Sequence, residues 1–425
     1  MIKKIIYRLF AILLFSTLLL NNEILASEED IFKQALAYTV KIKTRVDKPF
    51  LGDEKGAFTA AGFLVDVKQR LVMTNAHVVA RSPSHVSVAF YNGHYYKARK
   101  LYVDPVLDLA LLELPKNSIP KGIKAAQLEC KNIPAVGHPV GALGHPWGIF
   151  FTGTRGVISG LTDKFGGEFL QTDAPINSGN SGGPLISMKT AKVVGINTSS
   201  LNKNQDQNTN FATPMKYACK VLQLLQIGKD ASPPELPILF QLDIDDNNKL
   251  IVASTHLASD LIALENGDII EGFQNETQFI HALRGNLDNF SLAITRQNKK
   301  MILSGKLNAM QLVTERKGVF VSGIVIAPWW IRDWQEVNLP PLVIHNVEAG
   351  SIGDDQKIQN WDNLVYIDRK PMKNLKQLFA YLKAAELQNK KIHLTIKRFS
   401  DLDDRLYDYL ERPLKIVNLK YFGGM

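Results

Sequence analysis

Between residues 32 and 225, apolar and polar positions alternate over short stretches that are separated by turn-forming residues. Alternation with a period of two is typical of strands with one buried face, and Gly, Asn and Asp between such stretches favour turns. The predicted strands cover residues 38–43, 62–67, 71–74, 86–91, 109–114, 169–172 and 193–197. Many short strands predict a mainly β fold, a barrel or a sandwich, rather than an alternating α/β sheet.

A helix is predicted after this β-rich region. Residues 217–225 (YACKVLQLL) form a helical run that ends before Gly228, and glycine favours the end of a helix. Residues 231–237 (ASPPELP) then have the proline-rich composition of a linker. The rest of the chain is therefore expected to form separate units.

Two later segments resemble each other in the order of their predicted elements. In the first, residues 264–273 (LENGDIIEGF) precede a helix candidate at 277–284 and a strand candidate at 290–295. In the second, residues 361–371 (WDNLVYIDRKP) precede an apolar stripe with the spacing of one helix face, and then an alternating strand at 392–396. The stripe consists of Leu375, Leu378, Phe379 and Leu382. A strand, helix and strand at the same interval predict two copies of one small module.

Length and composition are those of a globular protein with several domains. The 425 residues, 45% of them apolar, allow two to four domains with their own cores, and they exclude a disordered or collagenous chain. A formal net charge of +9 would be compatible with binding to nucleic acid or to an anionic membrane. The charges form no basic stripe, however, so neither nucleic acid nor a membrane is predicted as a partner.

The N-terminus has the pattern of a secretory signal peptide over residues 1–26. Lys3, Lys4 and Arg8 form a positive start, residues 9–20 are uncharged and apolar, and Ala26 offers a cleavage site. Twelve uncharged residues are fewer than the roughly 20 that a spanning helix needs, although an uncleaved inner-membrane anchor is the alternative. The mature protein is therefore expected in an extracytoplasmic compartment, most simply a bacterial periplasm. Its two cysteines, Cys130 and Cys219, are too few for a disulfide framework, and the sequence leaves their pairing open.

Three short strings contain residue types that can perform acyl transfer: residues 74–79 (TNAHVV), 104–114 (DPVLDLALLEL) and 177–185 (NSGNSGGPL). A serine hydroxyl needs a base to accept its proton and a third group to orient that base. His77, Asp108 and Ser181 can fill these roles, in the chain order of a known double-barrel protease template. Each residue alone would be an ordinary turn or loop residue. Together they predict a catalytic triad.

The glycines around Ser181 have a separate predicted role. Gly179 allows a sharp turn, so that the N–H groups of Gly179 and Ser181 can point at the oxygen of a tetrahedral intermediate. Gly182 and Gly183 keep bulk away from the attacking oxygen. The loop is thus predicted to form an oxyanion hole.

These strings, with five more in the same order, resemble the protease domain of the HtrA (Deg) serine proteases. The five are AGFLVD (61–66), LGHPWG (143–148), QTDAPI (171–176), GINT (195–198) and FATP (211–214). The resemblance implies a trypsin-like double six-stranded β-barrel over residues 27–228, and PDZ-like β/α domains at 234–308 and 314–425. VEAGS (347–351) and DRKP (368–371) make the second PDZ-like domain the better match.

The sequence departs from the family pattern in three places. Pro175 stands where the family usually has a small residue, and residues 47–58 are shorter than the long loop that blocks the site in some periplasmic members. Neither PDZ-like segment has a clear Gly-rich loop for a terminal carboxylate, and residues 237–242 and 318–326 are the nearest candidates. Capture of C-terminal peptides is therefore a less specific expectation than proteolysis.

Family analogy also predicts a substrate pocket about six positions before the nucleophile. No acid there would pair with Lys or Arg, and Asp173 matches a position that does not set specificity. Cleavage after small or medium aliphatic residues is therefore expected. The predicted substrate-binding residues are Ala174, Pro175, Ile176, Ile196, Asn197 and Thr198.

Residues 199–210 (SSLNKNQDQNTN) follow these residues as a polar loop. It is either a solvated turn or a loop that orders only when substrate or a PDZ ligand binds and so completes the oxyanion hole.

Two classes of function follow. The first is an ATP-independent serine endopeptidase for unfolded or misfolded proteins in stress-related quality control. The second is a chaperone or peptide-binding scaffold whose triad is seldom aligned. The resemblance implies a homotrimer or higher oligomer that uses residues near 27–38. No cofactor and no metal are predicted, because His138 and His145 lack thiolates or carboxylates at metal-ligand spacing.

Overall fold

A computed structural model describes residues 27–145, 151–163, 167–198, 209–236, 238–243, 249–255, 263–330, 340–400 and 406–423. The predicted signal peptide, residues 1–26, and most of the polar loop at 199–210 lie outside these ranges. Strands far outnumber helices in the described chain, and they form two closed barrels and two further sheets. In the described ranges, no helix has the length and apolar character needed to cross a membrane.

The first barrel follows an N-terminal helix, α1 (Glu28–Tyr38), whose Ser27 side chain accepts a hydrogen bond from the Asp30 N–H. Its six strands close in the order β1-β2-β3-β6-β5-β4. A short helix, α2 (Ala76–Val79), follows β3. The strands are β1 (Thr39–Val46), β2 (Gly56–Asp66), β3 (Leu71–Thr74), β4 (His85–Ala89), β5 (Tyr95–Asp104) and β6 (Leu109–Glu113).

The second barrel also has six strands, which close in the order β10-β11-β12-β9-β8-β7. Helix α3 (Met215–Gln226) follows its last strand. The strands are β7 (Pro139–Gly144), β8 (Thr152–Thr162), β9 (Phe169–Thr172), β10 (Pro184–Ser187), β11 (Val193–Thr198) and β12 (Asn210–Pro214). These two barrels confirm the predicted mainly β, double-barrel fold.

The apolar positions of the predicted strands fill the barrel interiors. All four residues of β3 are buried, and so are the first four residues of β6. Each of the seven predicted strands overlaps an observed one, and the helix predicted at 217–225 lies within α3. The pattern missed α1, β5, β7, β8, β10 and β12. β7 and β8 contain two and three glycines, which in a single sequence read as turns rather than strands.

Helix α1 packs its inner face against the protein's own barrels. Ile31, Ala35 and Tyr38 are buried, and a Cβ on Gly141 or Gly153 would lie within about 3 Å of the Phe32 ring. These two glycines therefore make room for Phe32 beside β7 and β8. The predicted use of this segment in a trimer stays a prediction.

Cys130 and Cys219 form a disulfide bond, with their Cα atoms 5.6 Å apart. It joins the chain between the barrels to the buried face of α3, across a sequence separation of 89 residues. In the chain-entropy model a loop of this length stabilises the fold by about 4.6 kcal/mol. The pairing that the sequence left open is thus decided by the structure.

A third sheet begins after the linker and contains five strands in sequence order. Helix α4 (Glu276–Leu283) connects its third and fourth strands and is capped by the Asn275 side chain. The strands are β13 (Ile238–Asp243), β14 (Lys249–Thr255), β15 (Ile269–Ile270), β16 (Phe290–Arg296) and β17 (Lys299–Gly305). We call this unit module 1.

The fourth sheet is built by residues 317–423, which we call module 2. Its path is β24-β23-β21-β20-β19-β18-β25, and β22 pairs with β21. The strands are β18 (Lys317–Val321), β19 (Ile324–Pro328), β20 (Leu342–Val347), β21 (Asn363–Ile367), β22 (Lys370–Pro371), β23 (Ile392–Phe399), β24 (Tyr407–Leu414) and β25 (Lys420–Gly423). The helices are α5 (Ile352–Asp355) and α6 (Leu375–Leu387).

The predicted repeat of strand, helix and strand is confirmed in both modules. In module 1 it is β15, α4 and β16, and in module 2 it is β21, α6 and β23. Residues 318–326, a candidate for the carboxylate-binding loop, form a β-hairpin whose Val319, Val321, Ile324 and Ile326 side chains lie in the core. The assignment of both modules as PDZ domains stays a prediction.

Module 1 is attached to the barrels by a buried ion pair between Arg284, at the end of α4, and Asp104, at the end of β5. Arg284 Nη1 lies 2.6 Å from Asp104 Oδ2, and both side chains are fully buried. The same nitrogen donates hydrogen bonds to the Tyr102 hydroxyl and to the carbonyl oxygen of Ala231 in the linker. Three separate parts of the chain therefore meet at one guanidinium.

A second buried contact joins module 1 to the second barrel through Glu168. Its carboxylate accepts hydrogen bonds from Tyr217 of α3 and from the Asn275 and Gln278 amides of module 1. Because Glu168 is almost completely buried, these donors replace the water that it loses on folding. Module 1 thus contacts both barrels through polar as well as apolar groups.

Candidate active site

The predicted base and its orienting acid lie at the ends of two neighbouring strands of the first barrel. His77 is in α2, which follows β3, and Asp108 lies just before β6, which pairs with β3. His77 Nδ1 and Asp108 Oδ2 are 2.7 Å apart, and the His77 backbone N–H donates to Asp108 Oδ1 at 3.0 Å. The carboxylate therefore holds both the imidazole and the backbone that carries it.

Further hydrogen bonds hold Asp108 in place. The Asn75 side chain donates to its backbone oxygen at 2.9 Å, and the Thr198 hydroxyl donates to its Oδ2 at 3.3 Å. Thr198 ends β11 of the second barrel, so this bond crosses the cleft between the barrels. Asp108 has a positive φ of 48°, a backbone conformation that Asp adopts more readily than most residues. Its geometry is thus set by contacts from both barrels.

Asp104 fixes the turn that leads to Asp108. Its Oδ1 accepts the backbone N–H groups of Val106 and Leu107, at 2.9 and 3.1 Å. The Thr213 hydroxyl of the second barrel donates to the Leu107 backbone oxygen. The ion pair with Arg284 therefore ties module 1 to the turn that precedes Asp108.

The predicted nucleophile belongs to the second barrel but touches the first. Ser181 lies just before β10, and its backbone oxygen accepts the N–H of Ala61 in β2 at 2.9 Å. Gly182 has a φ of 82°, and a Cβ there would lie 2.0 Å from the Thr74 hydroxyl. Only glycine fits this approach, which brings the serine loop against the strand end that leads to His77. No hydrogen bond joins the Ser181 hydroxyl to the His77 ring, although the structure describes both residues; such bonds often tighten only when substrate binds.

The loop before Ser181 leaves two backbone donors unused. His145 N–H donates to the Gly179 oxygen at 3.0 Å, and Asn180 N–H donates to the Asn177 oxygen at 2.9 Å. Within the described ranges, the N–H groups of Gly179 and Ser181 donate to no protein acceptor. Two free, neighbouring amides suit the predicted oxyanion hole.

The six predicted substrate-binding residues lie in or beside the second barrel, and most are buried. Ala174 and Ile176 pack in its apolar core, and Ile196 is fully buried as well. Asn197 donates to the Pro184 oxygen, and of the six only Pro175 is exposed. In the structure, Thr198 thus contacts Asp108, and Pro175 lies at the surface. The substrate pocket itself stays a prediction.

Asp173, the acid nearest to the predicted pocket, is engaged with the backbone. Its Oδ1 accepts the Val157 N–H at 2.6 Å, and a Cβ on Gly156 would lie 2.3 Å from the same oxygen. One oxygen of this exposed carboxylate thus holds β8.

Sequence reasoning assigned no role to Asn75 or His145, although both lie in strings that it singled out. The signal was their position, next to His77 in one string and within LGHPWG in the other. Neither string shows that the Asn75 side chain donates to the Asp108 backbone oxygen, or that the His145 N–H donates to the Gly179 oxygen. Both acceptors lie more than 30 residues away in the chain.

Partial desolvation of the half-exposed His77 imidazole lowers its pKa, and the nearby Arg81 guanidinium lowers it further. Attraction to the Asp108 carboxylate and the hydrogen bond to it raise the pKa more, so that it lies above the usual value of 6.5. A general base must be neutral to accept a proton. Activity is therefore expected to increase as the pH rises through the pKa of His77.

We expect kcat/KM for a peptide substrate to rise with pH and to reach half of its maximum above pH 6.5. Asp108→Asn should lower this midpoint, because it removes the carboxylate that stabilises the imidazolium, and should lower kcat by about 10⁴-fold. Lys306→Met, far from the site at an exposed ion pair, is the matched control and should leave the profile unchanged. A midpoint below pH 6 in the wild-type protein would contradict the raised pKa.

Known proteins are similar to this chain in sequence. Residues 60–196 match the family model of the trypsin-like peptidase domain. The serine endoprotease DegS of Escherichia coli (strain K12) is 33% identical over 174 residues, which are 39% of this chain and 47% of DegS. The chain thus spans about half the length of this relative. The periplasmic serine endoprotease DegP of Salmonella typhimurium (strain LT2) is 24% identical over 353 residues, covering 77% of this chain and 72% of DegP.

Solved structures share the fold at lower identity. The HtrA-type protease AlgW, solved with a tripeptide, has a TM-score of 0.54 and 22% identity, and the match covers 66% of this chain and 97% of AlgW. At this identity the likeness supports the fold alone.

Proposed function

We propose that this chain is an ATP-independent serine endopeptidase of the HtrA (Deg) kind, as the match of residues 60–196 to the trypsin-like peptidase domain supports. The observation that carries the proposal is the hydrogen-bonded pair of His77 and Asp108 on one barrel, facing the Ser181 loop of the other. The name of a relative, the periplasmic DegP, and the signal-peptide pattern at residues 1–26 support an extracytoplasmic location, most simply the periplasm.

The proposed reaction begins when the Ser181 hydroxyl attacks the carbonyl carbon of a peptide bond. His77 takes the hydroxyl proton on Nε2, while its Nδ1–H remains bonded to Asp108. The oxyanion that forms is stabilised by the N–H groups of Gly179 and Ser181. His77 then gives its proton to the leaving amine, and an acyl-enzyme remains on Ser181.

The second half of the reaction releases the acyl-enzyme. Water gives a proton to His77 and attacks the ester carbon, and the same two N–H groups hold the second oxyanion. The carboxyl product leaves as Ser181 regains its proton. Asp108 stays ionised throughout, because its role is to orient the imidazole and to stabilise the imidazolium.

The proposed substrates are unfolded or misfolded proteins that can lie extended in the cleft between the barrels, as in quality control under stress. Cleavage is proposed after Val, Ala or Ile, because Ala174, Pro175 and Ile176 carry no acid that could pair with Lys or Arg. Asp173, the nearest carboxylate, is bonded to the backbone of β8. We also propose, on family resemblance, a homotrimer or larger oligomer, and PDZ-like roles for modules 1 and 2.

Degradation of reduced, unfolded casein, with the cleavage sites mapped by mass spectrometry, tests this proposal. We expect most cuts to follow small or medium aliphatic residues, whereas a tightly folded protein of similar size should stay intact. Equal or faster cleavage after Lys or Arg would overturn the proposed specificity. The absence of any cleavage that depends on Ser181 would overturn the enzymatic function.

A chaperone or peptide-binding scaffold is the second candidate function. It is favoured by one observation, the lack of a hydrogen bond between the Ser181 hydroxyl and the His77 ring in the described structure. If the site is seldom aligned, the wild-type protein and the Ser181→Ala variant should suppress aggregation of an unfolded protein equally well, and neither should degrade it.

A further inference from the structure

Strand β17 forms one edge of the sheet in module 1, and among the described strands it pairs with β16 alone. An edge strand presents backbone N–H and C=O groups on the side where no neighbouring strand pairs with them. Here apolar side chains accompany those groups, because Met301 is 40% exposed and Ile302 is 72% exposed. Unpaired backbone beside exposed apolar residues is the combination through which edge strands pair with other chains.

The pairing of β17 with β16 is continuous, which leaves the edge regular. All seven residues of β17 lie opposite successive residues of β16 without a shift in register. Gln297 and Asn298 form the turn between the strands, and both have a positive φ, as a two-residue hairpin that keeps the strand twist requires. A β-bulge, one of the features by which natural sheets blunt their edges, is thus absent from this described hairpin.

Two other sheet edges in the modules are blunted in ways that natural proteins use against pairing. The pairing of β13, at the opposite edge of module 1, shifts its register between Leu239 and Phe240. In module 2, the edge strand β24 carries Asp408, Glu411 and Pro413. β17 has lysines too, but they lie at its start and leave its centre apolar. Among these three edges, β17 is the one suited to pairing.

The two faces of β17 follow from its pairing with β16. Met301 lies opposite Ile294, which is fully buried, so Met301 points to the core side of the sheet, and Leu303 shares this face. Ile302 lies opposite the exposed Ala293 and points to the outer side. A twofold axis perpendicular to the sheet would join two such strands antiparallel and keep both core faces on the same side.

The sequence of β17 is complementary to itself in the antiparallel register that is centred on Ile302. In this register apolar residues meet apolar residues, and each lysine meets an uncharged residue. The direct pairs are Ile302 with the partner's Ile302, Met301 with the partner's Leu303, Lys300 with the partner's Ser304, and Lys299 with the partner's Gly305. All seven residues of the strand therefore take part.

The lysines disfavour the neighbouring registers. A register centred on Lys300 places this lysine opposite the partner's Lys300, and one centred on Leu303 places Lys300 opposite the partner's Lys306. Like charges directly opposite each other destabilise a strand pair. A register centred on Met301 shortens the contact and places Ile302 opposite the partner's Lys300. In the register centred on Ile302, the two Lys300 residues are about 13 Å apart along the strand, beyond the Debye length of about 8 Å at physiological ionic strength.

We propose that two copies of this chain associate through β17, which pairs antiparallel with the partner's β17 about Ile302. The five strands of module 1 then continue into those of the second copy, and the backbone groups of both edges are paired. The inference uses no residue of the active site and none of helix α1. It therefore depends neither on the proposed proteolysis nor on the proposed trimer.

A single cysteine at the centre of the contact tests this register. Cys130 and Cys219 are the two cysteines of the chain and are bonded to each other, so Ile302→Cys adds one free thiol. Directly opposite residues of antiparallel strands have Cα atoms about 4.5–5.5 Å apart, within the range that a disulfide spans. Mild oxidation of the full chain with Ile302→Cys by copper phenanthroline should therefore give a covalent dimer as the main band on a non-reducing gel.

Two variants of the same strand are the matched controls. Lys300→Cys and Ser304→Cys each place the thiol about 13 Å along the strand from its counterpart in the partner, so neither should form a covalent dimer alone. An equimolar mixture of the two should form one, because Lys300 lies opposite the partner's Ser304. The proposal is wrong if Ile302→Cys links no more than the single controls do, or if mixing the controls adds no dimer.

The mass in solution, measured by light scattering, gives an independent readout. Ile302→Lys places two like charges opposite each other at the twofold axis, so at high protein concentration the wild type should have twice the mass of this variant. Val136→Lys, in the turn before β7, should keep the wild-type mass, and it is matched because Val136 and Ile302 are both 72% exposed. Far-UV circular dichroism shows that each variant is folded. Equal masses of the wild type and Ile302→Lys at every concentration would overturn the proposal.

Discussion

Replacing Ser181 by alanine is expected to lower the rate of casein cleavage by roughly 10⁶-fold, to the level of background hydrolysis. The substitution removes the hydroxyl oxygen on which the proposed acyl-enzyme forms. Ser181 is contacted through its backbone oxygen, which accepts the Ala61 N–H, and alanine keeps this bond. Stability should therefore change by less than about 0.5 kcal/mol.

Ser178→Ala is the matched control, because Ser178 is an exposed serine in the same loop. It should retain wild-type activity. Labelling with a fluorophosphonate provides a second readout, since the reagent should add one covalent group to the wild type and to Ser178→Ala, but none to Ser181→Ala. Casein cleavage by Ser181→Ala within tenfold of the wild type would show that Ser181 is not the nucleophile.

Replacing Arg284 by methionine is expected to destabilise the contact between module 1 and the barrels by about 3–5 kcal/mol. Methionine keeps most of the buried volume, but it leaves the Asp104 carboxylate in a dry site without its cation. Because the other oxygen of Asp104 holds the turn before Asp108, the loss should reach the active site as well. Hydrogen–deuterium exchange should show faster opening at residues 102–108 and 276–284.

The double variant Arg284→Met/Asp104→Asn should recover part of this loss, since it removes the unpaired charge and keeps an oxygen for the turn. Lys306→Met is the control for an exposed ion pair, because Lys306 and Asp288 are 3.0 Å apart and largely solvent-exposed. It should change stability by less than about 1 kcal/mol. Equal effects of Arg284→Met and Lys306→Met would mean that the buried pair contributes nothing specific.

The strands that the sequence predicted are those in which the physical signal is local. β3 begins with three apolar residues and β6 with four, and β11 combines β-branched residues with a glycine, so their burial follows from their composition. β7 and β8 were missed because they contain glycines, two of which, Gly141 and Gly153, make room for the Phe32 ring. That requirement comes from α1, more than 100 residues earlier in the chain.

Most of the candidate site could also be identified from the sequence, because its chemistry needs particular residue types next to particular backbone turns. His77, Asp108 and Ser181 each lie in a short string. Position 182 must be glycine, because any side chain there would clash with the Thr74 hydroxyl. The bond from Thr198 to Asp108 could not be read in this way. It joins the ends of strands in different barrels, and no local pattern specifies which ends will face each other.

The sequence by itself determined the mainly β class, the order of the catalytic strings and the repeat of strand, helix and strand, because periodicity, turn residues and chemical type are local properties. Only the tertiary structure decided that Cys130 and Cys219 pair, that Arg284 reaches Asp104, and that the C-terminal strand lies between Phe379 and Phe50. These contacts join residues that are distant in the chain. Their geometry depends on how complete domains pack, which no short stretch of sequence encodes.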